Sequence, residues 1–115
     1  MPSVNVVFHI DESEKWPLVL ANVRNRTHAV DVLSSDIQIL VTSKAVSVFN
    51  GINLPAHTEI IAELAHLGVQ FAVCRHSLNG LQIPVESLPS FIKVVPVGVL
   101  ELIEKQNKGF AYIKP

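Results

Sequence analysis

Short runs of apolar, β-branched residues alternate along the chain with longer stretches whose apolar positions recur at helical spacing, and that alternation predicts parallel strands joined by crossover helices. The fold class is α/β. Strands are predicted over residues 4–10, 36–41, 69–74, 91–95 and 110–113. A first helix opens at Pro17, whose fixed φ suits the first helical position, and runs to about residue 33 with Val19, Val23, Val30 and Leu33 on one face. Ser43 is placed to cap a short helix carrying Ala45, Val46 and Phe49 and closed by Gly51, with a loop through Asn53 and Pro55 after it. A further helix from about residue 56 presents Ile60, Ile61 and Leu64 and stops at Gly68, where a left-handed cap meets no steric penalty. One helical turn is expected at 77–80 and another after Pro84. The last helix, 98–108, carries Glu101/Lys105 and Glu104/Lys108 pairs at i,i+4. No internal repeat, low-complexity tract or linker interrupts the pattern, so residues 1–115 are expected to form one domain.

Composition adds an expectation about partners. With 49% hydrophobic and 17% charged residues, the chain has more apolar surface than a domain of 115 residues readily hides, and a homo-oligomer is expected to cover the excess. Nine basic and ten acidic residues leave a net charge of -1 with no long run of either sign, which removes the electrostatic footprint of a nucleic-acid or anionic-lipid binder. No apolar stretch approaches the roughly 18 residues of a membrane span, and the N-terminus lacks a basic region followed by an apolar one, so a cytoplasmic protein is expected. The single cysteine fits a reducing compartment and leaves Cys74 a free thiol.

In open parallel sheets ligands collect beyond the carboxyl ends of the strands, where loops converge and helix N-termini point inward. The polar residues fall there: His9, Asp11 and Glu12 after the first strand, Ser43 and Lys44 after the second, Cys74, Arg75 and His76 after the third. Cys74 leads, because the thiolate is the reactive species and Arg75, His76 and a helix start near Ser77 would each favour it. Its plain alternative is a packed core cysteine. His9 is a base or ligand, or else a packed ring with one satisfied hydrogen bond. Asp11 either shapes the site or caps the loop, and Trp16 either lines the rim or staples the helix start to the core. The paired Cys or His spacings of zinc sites are missing, and the acidic, glycine-free turn after the first strand does not suit a flavin or dinucleotide, so no metal and no cofactor is expected.

Three segments together resemble the DsrE/DsrF-like (YchN-like) family of small α/β proteins. They are Lys15-Trp16-Pro17-Leu18-Val19-Leu20-Ala21-Asn22-Val23-Arg24-Asn25, Gly68-Val69-Gln70-Phe71-Ala72-Val73-Cys74-Arg75-His76-Ser77-Leu78, and Val95-Pro96-Val97-Gly98-Val99-Leu100-Glu101-Leu102-Ile103. The resemblance spans nearly the whole chain and implies a three-layer α/β/α sandwich around a five-stranded, mainly parallel sheet, assembled as a trimer or hexamer. Family members of the sulfur relay carry persulfide on a cysteine just after the third strand, and Cys74 stands in the matching place. The resemblance therefore implies a sulfur carrier or sulfurtransferase-like protein with partner proteins as sulfur donor and acceptor. The other reading is a non-catalytic homo-oligomeric module that binds a small ligand or protein at the same rim.

Overall fold

The computed structural model describes residues 4–29, 35–50 and 55–115. Five strands, β1 (Asn5–Ile10), β2 (Asp36–Val41), β3 (Gln70–Cys74), β4 (Ile92–Val95) and β5 (Ala111–Ile113), form one sheet in the order β4-β3-β2-β1-β5. Every pairing is parallel. Helix α1 (Trp16–Ala29) connects β1 to β2, and a 3-10 helix (Ser43–Phe49) followed by α2 (Pro55–His66) connects β2 to β3. The short α3 (Arg75–Gly80) leaves β3 directly, and α4 (Gly98–Asn107) carries the chain from one edge of the sheet to the other. The end of the predicted first helix and the predicted loop around Asn53 lie outside the described residues.

Side chains alternate across a strand, so each strand divides its residues between two layers. Val6, Phe8 and Ile10, with Ile37, Ile39, Val41, Phe71 and Val73, pack under α1, α2, α3 and the 3-10 helix in the larger core. Trp16 sits fully inside that core and donates its indole N–H to the Ala45 carbonyl at 2.9 Å, so it anchors the start of α1 rather than lining the rim. The opposite parity, Val7, Leu40, Ala72 and Val95, forms a smaller core with Leu102 and Phe110. These are the two faces of a three-layer α/β/α sandwich, one of them covered, among the described residues, by α4.

Helix α4 departs from its sequence reading in one pair. Glu104 meets Lys108 at 3.1 Å as its spacing predicts, whereas Glu101 turns to the sheet, 8% exposed, and accepts from the amide of buried Gln38 at 2.9 Å. Lys105 lies instead over the Phe110 ring, 5.0 Å from its centre. Gln38 Oε1 is left without a partner among the described residues.

Candidate functional site

The face under α4 determines the site. Residues 9 and 11, 40 and 42, 72 and 74 share its parity, and in register they lie side by side at the carboxyl ends of β1, β2 and β3. The N-terminus of α4 descends on them from β4. A cavity of about 480 Å³ opens there, lined by His9, Asp11, Thr42, Ser43, Cys74 and His76, with Ser77, Val97 and the α4 residues Gly98, Val99 and Leu102.

Cys74 ends β3 and immediately precedes α3, with its residue only 5% exposed. Burial pushes its thiol pKa up, but the Ser77 hydroxyl, together with the backbone N–H groups of Ser77, Gly98 and His76, outweighs burial and holds the pKa below its ordinary value. The hydroxyl's direction is fixed from behind. Ser43 stands in the left-handed region (φ 52°) and donates its backbone N–H to Ser77 Oγ at 2.8 Å, so the hydroxyl accepts there and has its own proton for the sulfur. A left-handed serine is uncommon outside glycine-like positions, and here the strained backbone orients a donor.

Gly98 explains how α4 approaches so closely. A Cβ at that position would stand 2.8 Å from Thr42 Cγ2 and 3.8 Å from Cys74 Sγ, nearer than the threonine methyl tolerates. Without a side chain, the Gly98 amide reaches the sulfur.

His9 stands across the cavity with both ring nitrogens engaged, Nδ1 with the Tyr112 hydroxyl and Nε2 with Thr42 Oγ1, each at 2.9 Å. Burial is the main influence and lowers its pKa; the charge on Asp11 acts the other way and Lys114 adds to the lowering. Asp11 accepts from Lys114 Nζ at 2.8 Å, and that hydrogen bond holds its carboxyl below the ordinary range.

Five of the residues singled out in the sequence, His9, Asp11, Ser43, Cys74 and His76, meet at this one cavity. Arg75, the first residue of α3, is exposed and does not line it. Charge near the sulfur is therefore met by backbone amides and a hydroxyl. Thr42, Ser77, Gly98 and Tyr112 are additions that sequence reasoning did not assign to the site. Applying the carboxyl-end rule to β4, which Pro96 and Val97 terminate, would have pointed to Gly98. Among the described residues no group of three or more His, Cys, Asp or Glu is arranged to hold a metal ion, and no helix is long and apolar enough to cross a membrane.

A parallel three-layer sandwich with a thiol at the carboxyl-end cavity of its third strand defines the class. Residues 3–115 match the model of the DsrE/DsrF-like family, and the chain belongs to that family. It is similar to a protein of unknown function, MTH1491, from Methanobacterium thermoautotrophicum, with 30% identity and a TM-score of 0.86 over 98% of this chain and 100% of the other. Two solved structures at 15% identity share the fold. They are the conserved protein of unknown function BT1422 from Bacteroides thetaiotaomicron (TM-score 0.71; 96% of this chain, 94% of that one) and the ychN protein from E. coli (TM-score 0.66; 100% of both chains). No curated protein matches the chain.

Proposed function

We propose that this chain is a sulfur carrier that accepts a sulfane sulfur on Cys74 as a persulfide. The observation that carries this reading is the sulfur's setting: donors from Ser77, Gly98 and His76 lower the thiol pKa in spite of burial, beside a cavity with room for an added sulfur. The family's association with sulfur relay supports it. A lone cysteine suits a carrier, since a persulfide passes directly to a thiol on another protein. A free thiol as the working group also suits the reducing cytoplasm.

The native chain is expected to gain one sulfur atom in intact-protein mass spectrometry after brief exposure to polysulfide, and Cys74→Ser to gain none while folding normally. Absence of the gain in the folded native protein would remove the reading. The near-complete burial of Cys74 favours a second one, a homo-oligomeric binding module whose thiol is only packed, and native resistance to alkylation would select it.

We further propose that the chain works as a homo-oligomer, a trimer or a multiple of it. Val99, Leu100 and Ile103 stand 64%, 62% and 49% exposed on α4, an apolar stripe of the kind that a second copy covers.

A further inference from the structure

The charges around the cavity are arranged unevenly. Among the described residues, and apart from the titratable Cys74, His9 and His76, the one ionisable side chain on its wall is Asp11. No described lysine or arginine lines it. Lys44 and Arg75, sequence neighbours of Ser43 and Cys74, are exposed and stand off the wall, and Lys114, which holds Asp11 at 2.8 Å, is also outside the lining. Asp11 thus lines the cavity while Lys114 does not, and at His9 the charge on Asp11 outweighs that on Lys114. The remaining wall is neutral hydroxyl and apolar, from Thr42, Ser43 and Ser77 to Val97, Val99 and Leu102. Burial lowers the His9 pKa and so disfavours a compensating cation there. A reagent approaching a thiolate here meets one negative group at the sulfur and another at the rim, in a concave site where low-dielectric walls strengthen both.

We propose that Asp11 is the specificity-determining residue of the Cys74 site, biasing it toward sulfur donors without net negative charge and against anionic donors such as thiosulfate. This rests on the reading of Cys74 as a sulfur acceptor. In the favoured step the Cys74 thiolate attacks the outer sulfur of a donor R–S–SH. A new S–S bond forms on Cys74 as the donor's S–S bond breaks, and RS⁻ leaves with the electron pair, to be protonated in water. No external oxidant enters. Thiosulfate would follow the same course with sulfite leaving, but it brings two negative charges past Asp11.

The test separates charge selectivity from sulfur chemistry. Alkylation of Cys74 is followed at pH 7.5 and low salt with neutral iodoacetamide and anionic iodoacetate, with 2-mercaptoethanol as the reference thiol. Sulfur loading is followed by intact mass with cysteamine hydropersulfide, whose ammonium cancels its persulfide charge, and with thiosulfate. The iodoacetate-to-iodoacetamide rate ratio is expected to fall on the order of tenfold below that of the reference thiol, and to approach it as salt screens the site. Asp11→Asn, which leaves the Lys114 ammonium uncompensated, should raise the ratio and speed loading from thiosulfate, whereas Lys114→Gln should raise neither. A ratio equal to the reference and unmoved by Asp11→Asn overturns the inference even if sulfur is gained. The expected ratio with no sulfur gained from either donor removes the carrier reading and leaves the Asp11 bias standing for alkylating reagents. Resistance of the native thiol to both alkylating reagents overturns both claims.

Discussion

The Ser43 backbone N–H donates to Ser77 Oγ at 2.8 Å, and because the hydroxyl accepts that bond its own proton is available to the Cys74 sulfur. Two segments separated by the whole of α2 and β3 thus cooperate on one sulfur atom. Removing the hydroxyl in Ser77→Ala leaves burial less opposed, so the thiol pKa should rise and alkylation at neutral pH should slow severalfold. Stability should fall by about 1 kcal/mol, the usual net value of such a hydrogen bond. The pH dependence of the iodoacetamide rate, compared between the two proteins, reads the shift directly; an unchanged midpoint contradicts the assignment.

Gly98→Ala introduces a methyl group 2.8 Å from Thr42 Cγ2. Overpacking of this kind costs about 1–3 kcal/mol, and here it also pushes α4 away from the sulfur. Thr42→Ser removes the colliding methyl while keeping the hydroxyl that His9 uses, so it should restore much of the lost stability in the double variant. Urea unfolding of the four proteins checks this, and strict additivity would show that the contact is relieved some other way.

Because burial lowers the His9 pKa, the folded protein prefers the neutral ring, and the stability this confers is present above the unfolded value of about 6.5. It is lost as pH falls through the lowered folded value. His9→Gln should therefore flatten the acid side of the stability profile below about pH 6.5. Chemical denaturation across that range tests the sign, and a His9 resonance titrating above 6.5 would reverse it.

Substituting glutamate for Leu100 or Ile103, both exposed on α4, should leave each subunit folded and dissociate the proposed oligomer. Sedimentation at tens of micromolar, where specific interfaces persist, decides the matter. A wild-type monomer under those conditions removes the proposal.

The strands were legible because β-branched runs and parallel pairing leave a periodic signature, and β2 falls on the predicted residues 36–41. The rim position of Cys74 and Ser43 was legible for the same reason: both follow from strand ends. What was not legible depends on approach across crossovers. Nothing near Gly98 in the chain announces that Thr42 lies within contact of it, and Ser43 reads as a helix cap when it is a left-handed residue whose N–H serves Ser77. Glu101 misleads for a related reason, since i,i+4 spacing to Lys105 is a local rule, whereas the sheet and Gln38 decide which way the carboxylate turns.

Trp16 gives the molecule an optical consequence. It is the sole tryptophan in the chain, shielded from water, edge-on to Phe49 and hydrogen-bonded to Ala45 within the segment that begins at Ser43. Its fluorescence is therefore a built-in gauge of the backbone that aims the Ser77 hydroxyl. A displacement of that segment would alter the quenching and polarity around the indole, so events at the sulfur can be followed by emission from the opposite layer of the sheet without attaching a dye.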